Sequence, residues 1–158
     1  MPLHEKGTIL PFDLSGTGEG VLQEVSIAGS AHTIRVEGHP AFGGTDSAPS
    51  PLDYVLAAYI SCNQVTSKIV ALGQNIVLGE FTGRIEADLD NSVLVFAAEG
   101  NPNFSRVKLT VELETELDDA AFDEFVAEIS RRCPLTQLFV RAGVDVSSEW
   151  TNKALVRV

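Results

Sequence analysis

The chain has 158 residues, 44% hydrophobic and 21% charged, which is enough for one domain with a real core. A net charge of −11 and a pI near 4.5 argue against binding nucleic acid or an acidic membrane through charge. No run reaches the about 18 apolar residues of a membrane span. The start, MPLHEKGTILPF, lacks the layout of a signal peptide, so a cytoplasmic protein is expected.

In chain order, Val21, Val25 and Ile27 alternate loosely with Leu22, Glu24 and Ser26. Gly29-Ser30 reads as a turn, and Ile34 and Val36 then alternate with Thr33, Arg35 and Glu37. The pattern predicts a hairpin or meander. His39 to Ser50 is dense in Gly, Pro, Ser and Asp and reads as a loop. Ser50-Pro51 opens a helix, with Ser as N-cap and Pro at the first helical position, and Gly73 is the expected stop. The first half of that helix, Leu52 to Ile60, is apolar on nearly every side except at Asp53. Such a helix is expected to be buried all round, which in so short a chain points to cover from a second subunit.

A strand is expected from about Leu78 to Leu89, then a connection in which Val93 to Ala98 has the makings of a short strand. Val107, Leu109, Val111 and Leu113 define the clearest strand, with Glu112 and Glu114 on a solvated outer face. Asp118 or Asp119 caps a helix with an apolar stripe at Phe122, Phe125, Val126 and Ile129. Cys133-Pro134 ends it, because the residue before proline is pushed out of the helical region. A short helix restarts at Pro134, packs Leu135, Leu138 and Phe139, and closes at Gly143; a last strand runs from Val144 to Trp150. Strands and helices segregate, so the fold class is α+β with mainly antiparallel sheets.

The chemistry-bearing residues are the only two cysteines. Cys62 lies deep in the apolar helix, and Cys133 stands at a helix start beside Arg131 and Arg132. Both read as small core residues or as a redox pair. In a reducing compartment a lone pair without CxxC spacing favours catalysis over a structural staple. The histidines, His4, His32 and His39, form no metal-site pattern with them, and neither a metal nor another cofactor is expected. Arg131-Arg132 reads equally as a complement to the helix dipole.

The segment GGTDSAPSPLDYVLAAYISC (43–62), the Cys133-Pro134 helix start, and the order of elements through Trp150 together resemble the OsmC/Ohr family of bacterial stress-response proteins. The resemblance implies one OsmC-like domain over 1–158, with a long buried central helix, in an intertwined homodimer. It also implies a thiol peroxidase that reduces organic hydroperoxides or hydrogen peroxide in oxidative stress defence, with electrons returned by a dithiol. Cys62 would be the peroxidatic cysteine and Cys133 the resolving one. An apolar wall of Phe42, Tyr54, Leu56 and Tyr59 would suit an organic tail.

Characterised members carry an activating arginine and a glutamate that follows the helix-opening proline. Here Leu52 follows Pro51, and the carboxylate comes one position later, at Asp53. Nine residues at about 100° each set Asp53 half a turn from Cys62, so Asp53 reads either as the catalytic site's orienting carboxylate or as a first-turn charge favoured by the dipole. Arg35 is the best activating arginine, on a strand face that is either solvated or part of the cleft. The alternative function is an OsmC-like dimer that binds a small apolar or thiol-reactive ligand without peroxidase activity.

Overall fold

The computed structural model describes residues 9–156; most of the N-terminal stretch read for a signal peptide, and the end of the tail, lie outside the described residues. The chain divides into two compact units, 1–54 and 55–158.

The first unit is a three-stranded antiparallel sheet in the order β1 (Leu14–Glu19), β2 (Leu22–Ile27), β3 (Thr33–Glu37). β2 and β3 are the predicted meander, and β1 extends it by one strand whose sequence, LSGTGE, has no apolar alternation to announce it. The loop after β3 folds back on Glu37. This buried carboxylate accepts from the Thr45 hydroxyl at 2.8 Å and the Ser47 N–H at 2.7 Å. Gly44 is required there, because a Cβ at that position would collide with the Gly38 carbonyl oxygen.

α1 (Pro51–Gln74) begins in the first unit and runs on through the second. Ser50 opens it as expected, its Oγ accepting from the Asp53 N–H at 3.2 Å. The expected stop is corrected. Gly73 is helical, and the chain leaves the helix at Asn75, which takes φ 58 while the Ile76 N–H reaches back to the Ala71 carbonyl at 2.9 Å. Asparagine tolerates the left-handed conformation and ends the helix in a Schellman arrangement.

In the second unit β4 (Leu78–Leu89), β5 (Phe104–Thr115) and β6 (Asp145–Ala154) form one sheet in that order. β4 and β5 are antiparallel, while β5 and β6 are parallel. The sheets are thus antiparallel except at this pair. A parallel pair needs a crossover, and the segment between β5 and β6 holds α3 (Asp119–Arg132) and α4 (Pro134–Arg141). Val93 to Ala98 is not a strand, since Ser92–Phe96 forms a short helix, α2, closed by Ala97 at φ 52.

The core of this unit is the inner face of β5 (Val107, Leu109, Val111, Leu113) with Phe122, Phe125 and Ile129 of α3. On the outer face Glu112 pairs with Lys153 at 3.2 Å, the solvated role expected of it. Of the residues expected to pack α4, Phe139 is buried, but Leu138 is 59% exposed.

α1 packs on β4 where Gly83 leaves room; a Cβ there would come within 2.7 Å of Ile60 Cγ2. α1 is not covered on all sides within one chain. Val65 is 58% and Leu72 54% exposed, and its buried positions include the polar Asn63, Thr66 and Ser67. By length and hydropathy alone α1 meets the requirement for a membrane span, although no unbroken apolar run does. Its burial of polar side chains is the pattern of a core helix. The Asn63 side-chain N–H donates to the Tyr59 carbonyl, and the Ser67 hydroxyl to the Asn63 carbonyl.

Candidate functional site: a paired thiol between two helices

Tyr59, Cys62 and Thr66 recur at helical spacing on one side of α1. Facing them is the junction of α3 and α4. Cys133 caps α3 at its C-terminus, its N–H donating to the Ile129 carbonyl at 2.8 Å, and serves at once as the N-cap of α4. Pro134 forces that break, since it supplies no N–H and fixes the first position of α4. The result brings the Cys62 and Cys133 sulfurs to 3.4 Å. That is within thiol hydrogen-bond reach and well beyond the about 2.05 Å of a bond, so both are free thiols. Residues 71 positions apart in sequence therefore meet.

The two sulfurs differ in access and acidity. Cys62 is partly accessible, whereas Cys133 is fully buried. Burial pushes the Cys62 thiol above its ordinary value and the neighbouring Cys133 adds to this; the Leu135 N–H and the Thr66 hydroxyl offset only part of it. Burial also raises Cys133. There the Thr136 hydroxyl, the Thr136 N–H, Cys62 and the Leu135 N–H together outweigh burial and leave the thiol below its ordinary value. These donors belong to the first turn of α4, where free N–H groups and the helix dipole favour an anion. Within this unit the negative charge of the pair rests more easily on Cys133.

The adjoining arginines are otherwise engaged. Arg131 grips Glu128 through two bonds of 2.7 Å, and Arg132 lies 3.7 Å from the same carboxylate. Arg35 is in the first unit, exposed on β3, with its carbonyl accepting from the Tyr54 hydroxyl at 2.8 Å. It makes no ion pair with another described residue. Asp53 is likewise in the first unit, and its carboxylate takes the Ser50 N–H at 2.9 Å and the Ser50 hydroxyl at 2.7 Å. Those two bonds hold the Asp53 carboxyl below its ordinary value. With the Asp53 N–H returned to Ser50 Oγ, the pair is a reciprocal capping box. Of the expected wall residues in this unit, Tyr59 is buried, its ring 5.1 Å from that of Phe139.

Sequence reasoning passed over Thr66 and Thr136. The signal for Thr136 was present: three residues after a cap, a side chain turns back toward the cap. A cavity of about 160 Å³ in this unit, bordered by Ser67 and Lys68 of α1, Phe81 of β4 and Leu113 of β5, includes neither sulfur in its lining.

An α+β fold built on two small sheets and a long central helix, with a dithiol carried on that helix and a later Cys-Pro helix start, defines the class. The chain belongs to the family described as OsmC-like protein, whose model matches residues 44–149, a span that includes both cysteines and Asp53 but not Arg35. No curated protein matches it in sequence. Among solved structures it is similar to an OsmC-like protein from Mycoplasma pneumoniae (TM-score 0.78, 15% identity, covering 92% of this chain and 99% of that one). It is also similar to an organic hydroperoxide resistance protein OsmC from Legionella pneumophila (0.68, 19%, 91% and 98%). A third similar structure is an OsmC-like protein of unknown function from Vibrio cholerae (0.72, 12%, 90% and 100%).

Proposed function

We propose that the protein is a thiol-dependent peroxidase, reducing organic hydroperoxides or hydrogen peroxide through Cys62 and Cys133 in defence against oxidative stress. The observation that carries this reading is the 3.4 Å separation of the two sulfurs. Access assigns the first step to Cys62. Its thiolate attacks one peroxide oxygen, the O–O bond breaks, and the departing alkoxide takes a proton to leave as alcohol, or as water from hydrogen peroxide. The sulfur, oxidised by two electrons, becomes a sulfenic acid. The Cys133 thiolate then attacks that sulfur; an S–S bond forms, the S–O bond breaks, and hydroxide leaves and is protonated to water. A dithiol reductant returns two electrons and two protons by thiol–disulfide exchange and is itself oxidised to a disulfide.

A buried thiol needs a cation to ionise, and Arg35 is the residue proposed to supply it to Cys62. Asp53 is proposed to act on the site only through the start of α1 that it holds. In this reading the whole chain works as one OsmC-like domain, in a cytoplasmic homodimer whose second subunit covers the exposed apolar positions of α1. The test is a thiol count before and after one equivalent of an organic hydroperoxide, in wild type and in Cys62→Ser. Rapid loss of both thiols in wild type, with Cys133 spared in the variant, is expected. Survival of both thiols in wild type rejects the peroxidase.

Two observations favour a second reading, a dimer that binds a small apolar or thiol-reactive ligand without turnover. Leu52 stands where characterised members carry a glutamate, and burial raises the Cys62 thiol. A ligand that raises the melting temperature equally in the double Cys→Ser variant supports it.

A further inference from the structure

Thr136 occupies the third position of α4, the helix that Cys133 caps. From that position a side chain reaches back to the cap, as Asp53 does to Ser50 at the start of α1. Thr136 is 8% exposed, and its Oγ1 is buried with no hydrogen-bond partner among the described residues. A buried hydroxyl left unpaired is destabilising, and most native hydroxyls avoid it. Two groups that feel the Thr136 side chain are the Cys133 sulfur and the Tyr59 hydroxyl. A neutral thiol is a poor acceptor, and a thiolate is a good one.

We propose that the Thr136 hydroxyl is the donor that holds Cys133 as a thiolate, and so makes Cys133 the sulfur that attacks the Cys62 sulfenic acid. The inference rests on the two-cysteine reading above for its place in the cycle, but the stabilised thiolate itself does not. Beside a neutral Cys133 thiol the hydroxyl has no good acceptor. Once Cys133 loses its proton, Oγ1–H turns to the sulfur, beside the N–H groups of Leu135 and Thr136. The titratable groups facing Cys133 are Cys62 and Tyr59, both on α1. The charged neighbours on α3 are Arg131 and Arg132, both engaged with Glu128. Tyr59 is held protonated, since burial raises it above its ordinary value. Removing Cys62 therefore leaves Cys133 as the one thiol to follow.

The test is an ultraviolet thiolate titration in Cys62→Ser, alone and combined with Thr136→Val, Thr136→Ala and Thr136→Ser. Loss of the hydroxyl in the Val and Ala variants is expected to raise the Cys133 midpoint by about one pH unit, a tenfold fall in thiolate at a given pH below it. Thr136→Ser, which keeps the hydroxyl, is expected to restore the original midpoint. An unmoved midpoint in Val and Ala, or no restoration in Ser, overturns the proposal. So does a midpoint in Cys62→Ser itself at or above the about 8.5 of a free thiol, a measurement that needs no Thr136 variant to fold. In the two-cysteine protein, Thr136→Val is expected to accumulate Cys62 sulfenic acid that dimedone traps, and no increase in trapping counts against it. Absence of peroxide consumption in wild type with a displaced titration in Thr136→Val would reject the peroxidase and leave the thiolate donor standing.

Discussion

The rings of Tyr59 on α1 and Phe139 on α4 lie 5.1 Å apart, and Phe139 in turn meets Phe104 of β5 edge-on at 5.9 Å. Tyr59 precedes Cys62 by one helical turn, and Phe139 stands in the helix that Cys133 opens. This aromatic contact joins the elements that carry the two sulfurs. Phe139→Ala is therefore expected to cost about 3–5 kcal/mol in stability by urea denaturation. It is also expected to slow closure of the Cys62–Cys133 disulfide after one equivalent of peroxide. A variant that loses stability but closes the disulfide at the wild-type rate would show that α4 holds its place without this ring.

Burial sets the pH dependence of the first step. Because the Cys62 thiol lies above its ordinary value, its thiolate is a minor species at neutral pH. The single-turnover rate is then expected to climb by about tenfold per pH unit through the neutral range. Arg35 is proposed to offset this, so Arg35→Ala should lower the rate at pH 7 by about tenfold and move the profile to higher pH. Stopped-flow rates from both proteins check this, and superimposable profiles would remove Arg35 from the site.

Much of this arrangement was legible in the sequence where a side-chain period met a clear boundary. The alternation at Val107, Leu109, Val111 and Leu113 gives β5, and the Ser50-Pro51 and Cys133-Pro134 pairs give two helix starts. The period of two in β5 says nothing of its neighbours, so the parallel pairing with β6 stayed hidden. Val93 to Phe96 is apolar, with two β-branched valines, yet helical, because a short apolar run has no period long enough to separate the two states. At the site, the two cysteines stood out as the only ones and the resemblance implied their roles, but spacing alone could not place sulfurs 71 positions apart at 3.4 Å. The Cys133-Pro134 pair showed Cys133 at a helix start, but not the burial that leaves the Thr136 hydroxyl without a partner there.

The capping box at the start of α1 makes a stability prediction. Ser50 and Asp53 exchange bonds in both directions, so Ser50→Ala is expected to cost about 1 kcal/mol. With Asp53→Ala in a double-mutant cycle, the two losses should fall short of additive, because the bond from the Ser50 hydroxyl to the Asp53 carboxylate is lost in either variant. Chemical denaturation of the four proteins measures the coupling. Strict additivity would mean the two side chains act separately.

Glu37 gives the protein a specific acid sensitivity. The Ser47 N–H, then the Thr45 hydroxyl and N–H, hold its carboxyl at about 2, against 4.5 for an unperturbed glutamate. A carboxyl that is more acidic in the folded state stabilises that state while it is ionised. The contribution is complete above pH 4.5 and is lost as pH falls from 4.5 through about 2. Glu37→Gln removes the titration while keeping the shape of the side chain. Melting temperatures measured across that interval should fall more steeply in wild type than in the variant, and the gap between them should close toward pH 2. Parallel curves would mean that the loop from Gly38 to Ser50 owes nothing to the charge. A variant as stable as wild type at neutral pH would locate the contribution in hydrogen bonding that a neutral amide can also accept.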